Sequence, residues 1–231
     1  LIDKTGHRTY TKQRIYRNTG TPMVIKQDFY TKFGNRPLHI YLPDSSYSSN
    51  ERYPVMYFFD GHNLFFDHDA TYGKSWGMKK YLDQHHTRLI VVGLECNHEG
   101  WSRLDEFSPY SYDDPCGYRV HQKGRTLIQW MKTDLKKYID NKYPPLPDRE
   151  HTFIGGSSMG GLISLYAVLH YNHIFSRAAV FYPTMDADFA ALTELVRASQ
   201  PAPDTVIYMD YGDKEFEYEP WSPKNFALLS L

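Results

Sequence analysis

Short apolar segments alternate along the chain with segments of helical periodicity. Residues 53–59 and 89–94 are apolar on both faces, which is typical of strands in a sheet that is covered on both sides. Further apolar strands begin at Thr152, Arg177 and Thr205. Because buried strands that alternate with helices form a mostly parallel sheet, the pattern predicts an α/β fold with helices on both faces of a central sheet.

Helical periodicity fills the stretches between these strands. The clearest example is 124–143, where apolar residues recur at helical spacing and Pro144-Pro145 ends the pattern. Shorter helices are predicted near 77–86 and over 188–199. No shift in composition and no internal repeat divides the chain, so we predict a single domain over residues 1–231.

The remaining segments predict exposed strands and a loop. Residues 8–16 and 22–30 mix β-branched and aromatic residues with charges, which is typical of exposed antiparallel strands. Residues 38–42 alternate with a period of two and predict a strand with one face in water. Residues 95–123 have no clear periodicity, and a loop of this length in a compact domain is typically functional or mobile.

Composition and charge narrow the class of partner. A net charge of −1 over 231 residues favours neither nucleic acid nor an anionic membrane. No apolar run reaches the length of a membrane span and no secretory signal is visible, which favours a cytoplasmic protein. The chain begins at Leu1, so a cleaved leader stays an open alternative. Cys96 and Cys116 form no metal or redox motif and are predicted to be free or buried thiols.

The most informative motif is Gly156-Ser157-Ser158-Met159-Gly160, which follows an apolar strand and precedes an apolar helix. Gly-x-Ser-x-Gly in this context is typical of a nucleophile elbow, a strained strand-to-helix turn that lifts a serine hydroxyl above the sheet. Ser158 occupies the central position and is the predicted nucleophile. A plain glycine-rich connection between strand and helix is the alternative.

Acyl transfer from a serine also needs backbone N–H groups aimed at the developing oxyanion. In an elbow of this type one donor is the residue after the nucleophile, here Met159. The second donor comes from the loop after an early central strand, where Asp60-Gly61-His62 follows the strand at 53–59. Gly61 and His62 are therefore the candidate donors, and a simple turn is the alternative.

A carboxylate that orients the catalytic base should follow the nucleophile along the chain, at the end of a later strand. The segment after the strand at 205–209 offers Asp210, Asp213 and Glu215. The residues alone do not choose among the three.

Three stretches together resemble the putative-esterase family of α/β hydrolases, which includes the enterochelin-esterase-like, esterase D-like and feruloyl-esterase-like enzymes. They are Gly-Gly-Ser-Ser-Met-Gly-Gly at 155–161, Val-Met-Tyr-Phe-Phe-Asp-Gly-His-Asn-Leu-Phe at 55–65 and Tyr-Gly-Asp-Lys-Glu at 211–215. The resemblance extends over residues 25–231 and implies the α/β-hydrolase fold with little or no lid.

The resemblance also implies roles for particular residues. The acid of the family falls three residues after a glycine that closes the strand, so Gly212 points to Glu215 as the acid, with Asp210 second. Gly61 and His62 map onto the oxyanion loop of the family.

One departure from the family concerns the catalytic histidine, which the family places near the C-terminus, after the acid. This chain has no histidine beyond His173 and stops at Leu231, within a run that resembles the start of a helix. We expect the sequence to be incomplete at its C-terminus and to lack this histidine. The alternatives are an upstream base, such as His62 or His121, and a protein without a triad.

Two further groups of residues have more than one interpretation. A cluster rich in acid and histidine follows the oxyanion segment: His62, Asp67, His68 and Asp69. Its spacing is not that of known metal motifs, so a polar rim of the active site is preferred to a divalent metal site. Four aromatic residues fall in predicted loops: Trp76, Trp101, Tyr110 and Tyr112. They form either an aromatic wall for an acyl or aryl group or a small packing cluster.

The sequence therefore predicts a serine carboxylic-ester hydrolase that acts through an acyl-Ser158 intermediate on a small-molecule or carbohydrate-linked ester. This route uses no cofactor and no metal. The alternatives are acyl transfer to a sugar or another alcohol, and a non-catalytic relative that binds a carbohydrate or a partner.

Overall fold

A computed structural model describes residues 13–14, 23–43 and 51–211. The chain divides into two compact units, one of residues 1–97 with 144–146 and one of residues 98–143 with 147–231. In each unit, parallel strands are joined by helices, as an α/β fold requires. The single domain predicted from the sequence stays a prediction.

The described part of the first unit contains seven strands and one α-helix. They are β1 (Gln13–Arg14), β2 (Met23–Gln27), β3 (Tyr30–Thr31), β4 (Gly34–Asn35), β5 (Leu38–Leu42), β6 (Val55–Phe59), α1 (Met78–Gln84) and β7 (Ile90–Leu94). Hydrogen bonds place five of the strands in the order β1-β2-β5-β7-β6, and β3 pairs with β4. β6 and β7 are parallel and connected by α1, whereas the other pairs are antiparallel.

The N-terminal strands are more buried than the sequence pattern predicts. All five residues of β5 are buried, so the prediction of one face in water is wrong. The polar groups on β5 find partners in the interior: His39 Nε2 lies 2.6 Å from Glu95 Oε1, and the Tyr41 hydroxyl donates to Asp83 Oδ1 over 3.0 Å. β2 is antiparallel as predicted, but it is half-buried because it lies between β1 and β5.

The described part of the second unit contains five strands and five α-helices. They are α2 (Ser102–Phe107), β8 (Tyr112–Asp113), β9 (Arg119–Val120), α3 (Gly124–Trp130), α4 (Lys136–Lys142), β10 (Thr152–Ser157), α5 (Met159–His170), β11 (Arg177–Phe181), α6 (Phe189–Ala198) and β12 (Val206–Asp210). A π-helical stretch, Met131–Leu135, joins α3 to α4, and the helix predicted over 124–143 is confirmed.

Three parallel strands form the centre of the second unit. β10, β11 and β12 are neighbours in that order, with α5 and α6 as the connections. Ser157 pairs with Phe181 and Phe181 pairs with Asp210, so the three strands end at the same level. Helix α5 is buried from Met159 to Val168 because it packs against β10, β11, α2 and α6. The loops at the ends of these strands are thereby held on a rigid support.

Residues 95–123 are not the featureless loop that the sequence predicts, since they contain α2 and the hairpin of β8 and β9. Asp105 on α2 fastens this hairpin, and its carboxylate is almost fully buried. It accepts hydrogen bonds from Lys123 Nζ at 2.7 Å, the His121 N–H at 2.9 Å and the Tyr118 hydroxyl at 3.2 Å. Short elements fixed by bonds of this kind leave no periodic pattern in the sequence.

No disulfide joins the two cysteines, and Cys96 is buried whereas Cys116 is exposed. In the part of the chain that the structure describes, no helix is long and apolar enough to cross a lipid bilayer.

Asp105→Asn should lower the free energy of unfolding by about 2 kcal/mol, because a neutral amide loses the charge-assisted bond to Lys123 inside a buried cluster. Burial raises the pKa of Asp105, but the Lys123 ammonium and the His121 N–H outweigh it and leave the pKa lowered. A carboxylate of this kind stabilises the fold above its unfolded-state pKa of about 4, and the contribution is lost as the pH falls through the folded-state pKa.

Chemical denaturation of parent and variant at several pH values tests this prediction. The difference in stability should be full at neutral pH and should shrink below about pH 4. The control is Asp113→Asn, which removes an exposed carboxylate paired with Arg119 and should change stability little. Equal losses in the two variants would contradict the role of Asp105.

Candidate active site

Ser158 joins β10 to α5 and has an unusual backbone conformation. Its φ is 57° and its ψ is −122°, values that a non-glycine residue adopts only under strain. Three backbone hydrogen bonds hold it there. The Ser158 N–H donates to the Phe181 carbonyl at 2.9 Å, and the Ser158 carbonyl accepts from Leu162 at 3.0 Å and Thr184 at 3.3 Å. This is the strained strand-to-helix turn that the Gly-x-Ser-x-Gly motif predicts.

Two glycines allow the turn to close. A Cβ atom on Gly156 would lie 2.6 Å from the backbone carbonyl carbon of Gly160, and one on Gly161 would lie 2.8 Å from the Phe181 carbonyl oxygen. Real Cβ atoms essentially never come this close to other heavy atoms. Glycine is therefore required at positions 156 and 161, where β10, α5 and the end of β11 are in close contact.

The Ser158 hydroxyl faces the segment that follows β11. Its Oγ lies 3.2 Å from Thr184 Oγ1. Within the described part of this unit, a hydroxyl rather than an imidazole is therefore the hydrogen-bond partner of the predicted nucleophile. No sequence motif assigns a role to Thr184. Its place just after the strand next to β10 is the one feature that could have indicated it.

Met159 is the first residue of α5 and is buried. The first N–H groups of a helix have no acceptor within the helix, which is what an oxyanion donor requires. The Tyr112 hydroxyl on β8 donates to Met159 Sδ at 3.7 Å. Burial raises the pKa of Tyr112 to about 12, so the hydroxyl keeps its proton at neutral pH. Tyr112, one of the four candidate wall residues, therefore contacts the residue next to Ser158.

The other three aromatic candidates have different surroundings. Tyr110 is buried and its hydroxyl donates to a backbone carbonyl of α6, so it packs the interior of the second unit. Trp101 is half-exposed and stacks on Tyr118. Trp76, in the first unit, meets the ring of Phe58 edge to face. The four residues therefore do not share one role.

Asp210 ends β12 at the same level as Ser157. Its Oδ1 accepts from the Tyr182 N–H at 3.3 Å, and its Oδ2 accepts from the Tyr208 hydroxyl at 3.2 Å. Each oxygen of the Asp210 carboxylate therefore accepts a hydrogen bond from a neighbouring tyrosine. The other two acid candidates, Asp213 and Glu215, lie outside the described residues.

The predicted oxyanion segment lies in the first unit. β6 is followed by Asp60, whose φ is 56°, and by the tight turn Gly61–Asn63. A Cβ atom on Gly61 would lie 2.4 Å from the carbonyl carbon of Gly93 on β7. His62 is buried, and its Nε2 lies 2.9 Å from Thr71 Oγ1. The backbone at Gly61 and His62 is therefore fixed by contacts on both sides, as an N–H donor requires.

Two acids of the acid- and histidine-rich cluster, Asp67 and Asp69, accept hydrogen bonds from residues of their own unit. Asp67 accepts from the N–H and hydroxyl of Ser75 and from Lys74, and these bonds lower the pKa of Asp67 to about 2. Asp69 accepts from Lys26 Nζ at 2.7 Å. These interactions fasten the loop to the rest of its unit.

Residues 33–229 match the family model described as Putative esterase. Among curated proteins, the uncharacterized protein YbbA of Bacillus subtilis strain 168 is 25% identical over 192 residues, which are 80% of this chain and 70% of that protein. The family that the three motifs resemble is therefore the family that the chain matches.

Solved structures of several hydrolases are similar to this chain. The IroE-like serine hydrolase of Shewanella oneidensis matches with a TM-score of 0.65 and 15% identity, over 90% of this chain and 78% of the other. The S-formylglutathione hydrolase of Staphylococcus aureus matches with a TM-score of 0.62 and 15% identity, over 94% and 85%. The predicted α/β-hydrolase fold, with its mostly parallel central sheet, is confirmed. The chain belongs to the Putative esterase family.

Proposed function

We propose that this member of an esterase family is a serine carboxylic-ester hydrolase that acts through an acyl-Ser158 intermediate. The observation that carries the proposal is the backbone of Ser158, with φ at 57° and ψ at −122° between a parallel strand and a buried helix. Strain of this size, roughly 1–3 kcal/mol, persists where surrounding structure enforces it, and it collects at active sites. A structural serine has no need of such a conformation.

In the proposed reaction Ser158 Oγ attacks the ester carbonyl, and its proton passes to a histidine base. The carbonyl oxygen becomes an oxyanion, which the Met159 N–H and the N–H of Gly61 or His62 would stabilise. The base then protonates the leaving alcohol. Water hydrolyses the acyl-enzyme by the same steps and restores the Ser158 hydroxyl.

The N-terminus of α5 supports this assignment of Met159. Aligned peptide dipoles give a helix N-terminus a partial positive charge of about half an elementary charge, and the effect is greatest where water is excluded. Helix α5 is buried over most of its length, so the developing negative charge would face a fixed and poorly hydrated dipole. Losing one oxyanion donor typically costs about 3–4 kcal/mol of transition-state stabilisation.

We assign the orienting acid to Glu215 and a structural role to Asp210. Asp210 already accepts hydrogen bonds on both carboxylate oxygens, from Tyr182 and Tyr208, and moving it toward a histidine would break both. Of the two remaining candidates, Asp213 and Glu215, the family motif indicates Glu215, three residues beyond Gly212. The histidine that Glu215 would orient is part of the proposal and has no assigned residue.

The substrate we propose is a small-molecule or carbohydrate-linked ester. The relative named S-formylglutathione hydrolase supports a small acyl compound, since a protein of the same fold takes its name from one. Tyr112 beside Met159 would supply an aromatic contact for the acyl or alcohol group. We retain a cytoplasmic location as part of the proposal.

Ser158→Ala should reduce turnover of an activated ester such as p-nitrophenyl acetate by on the order of 10⁵-fold or more, because the covalent route is lost. Intact-mass spectrometry should detect a single fluorophosphonate adduct on the parent, and the same variant should lose it. Ser157→Ala is the matched control and should keep both activity and adduct. Retained turnover in Ser158→Ala would refute the proposed nucleophile.

Glu215→Gln should lower kcat by on the order of a thousandfold, since a glutamine no longer stabilises the imidazolium that forms during attack. Asp213→Asn should change kcat little. Asp210→Asn should lower the melting temperature, because the carboxylate fixes Tyr182 and Tyr208. It should change kcat of the folded protein little. Steady-state kinetics and thermal denaturation of all three variants test this assignment. A larger loss of kcat in Asp210→Asn than in Glu215→Gln would assign the acid to Asp210.

Gly61→Ala should reduce kcat strongly, because its Cβ atom would collide with the backbone of Gly93 and displace the neighbouring N–H groups. Overpacking of this kind costs roughly 1–3 kcal/mol in stability. The control is Gly73→Ala in the same unit, where φ is +68° but no heavy atom lies within 4 Å of the added Cβ. It should cost stability through backbone strain and leave kcat unchanged. Equal kcat losses would show that strain in this unit, rather than the Gly61 contact, affects activity.

A further inference from the structure

The segment Phe181–Thr184 makes three hydrogen-bond contacts with Ser158. The Phe181 carbonyl accepts from the Ser158 N–H, the Thr184 N–H donates to the Ser158 carbonyl, and the Thr184 hydroxyl meets the Ser158 hydroxyl at 3.2 Å. Two of these contacts fix the backbone. The third concerns the atom that would attack the substrate.

The segment Phe181–Thr184 is itself fixed by hydrogen bonds to Asp210. Tyr182 has a φ of 44°, and its N–H donates to the backbone carbonyl of Asp210 at 3.2 Å and to Asp210 Oδ1 at 3.3 Å. Pro183 follows and restricts the backbone further, because its ring fixes φ. The Thr184 hydroxyl is therefore held next to Ser158 by a segment with little conformational freedom.

The backbone of Thr184 already accounts for its structural contribution. Its N–H closes the bond to Ser158 without help from the side chain, and any residue other than proline could do the same. Among the described residues, the hydrogen-bond partner of the Thr184 hydroxyl is Ser158 Oγ. The hydroxyl therefore contacts the proposed nucleophile in addition to the backbone bond, which does not depend on it.

We infer that Thr184 is a further active-site residue that orients the nucleophile by donating its hydroxyl proton to Ser158 Oγ. This inference rests on the proposed function of Ser158. A donated hydrogen bond leaves the Ser158 proton free for the base and holds one lone pair, so that Oγ points toward the substrate in one rotamer. The bond would strengthen as Oγ loses its proton, because hydrogen bonds to charged acceptors are shorter and stronger.

The length of the contact sets the size of the effect. At 3.2 Å it is longer than an optimal O–H···O bond, and catalytic hydrogen bonds are often long before substrate binds. Removing the hydroxyl should therefore lower kcat/KM about 3- to 10-fold, with most of the change in kcat. That range corresponds to about 0.6–1.4 kcal/mol of transition-state stabilisation.

The test compares Thr184→Val with Thr184→Ser. Valine keeps the volume and the β-branch but removes the hydroxyl, whereas serine keeps the hydroxyl and loses a methyl group. The readouts are kcat and KM for p-nitrophenyl acetate, the second-order rate of fluorophosphonate labelling and the melting temperature. Valine should lower kcat and the labelling rate with KM and melting temperature nearly unchanged, and serine should restore both rates to within twofold of the parent.

A matched control is Thr193→Val. The Thr193 hydroxyl donates to the Phe189 carbonyl within α6, so its loss removes a threonine hydrogen bond in the same unit without touching Ser158. This variant should label at the parental rate. A Thr184→Val protein that labels and turns over at the parental rate would overturn the inference, as would a Thr184→Ser protein as slow as the valine variant.

The inference and the proposed function fail in different ways. If Ser158→Ala still turns over the ester, the proposed nucleophile is wrong and Thr184 has no catalytic contact. If Ser158→Ala is inactive and Thr184→Val is fully active, the nucleophile stands and only the role of Thr184 is wrong.

Discussion

The strained backbone of Ser158 is the constraint on which the second unit depends. A non-glycine residue at φ 57° and ψ −122° relaxes unless its neighbours prevent it. The neighbours do so through hydrogen bonds from the adjacent strand exit and from α5, and through glycine contacts too close for any side chain. Helix α5 is buried along most of its length, so the turn cannot relax by shifting the helix. The packing and hydrogen bonds of the rest of the unit therefore maintain the strained conformation of Ser158.

Parallel strands explain why distant parts of the sequence meet at this turn. β10, β11 and β12 end at one level, where Ser157, Phe181 and Asp210 pair across the sheet. The residues that follow each strand therefore emerge side by side, although the connecting helices separate them widely along the chain. Ser158 and Thr184 lie at the same edge as Asp210 for this reason. The site is a consequence of strand order and strand length.

Local patterns could be predicted and long-range partners could not. The apolar strands, the helix over 124–143 and the elbow follow from periodicity and glycine spacing, which act over a few residues. The burial of β5 depends on Glu95 and Asp83, which lie far along the chain, so its alternating pattern suggested a strand facing water. Thr184 was missed for the same reason, since it meets Ser158 through the pairing of β11 with β10, two strands that are separated along the chain by α5. The family motif, rather than periodicity, singled out Glu215.

Three strands of this protein are followed directly by a residue with positive φ. Asp60 after β6, Ser158 after β10 and Tyr182 after β11 all have φ between 44° and 57°, although none is glycine. A left-handed residue turns the chain sharply at the end of a strand, so that the next residues pass over the strand end instead of continuing along it. At Asp60 and Ser158, a glycine soon afterwards lies against the backbone of the neighbouring strand. Each of these residues stores strain of roughly 1–3 kcal/mol, and each begins a short, rigid segment at the end of its own strand. Two of these segments carry the proposed nucleophile and the residue that orients it, and the third carries the proposed oxyanion donors.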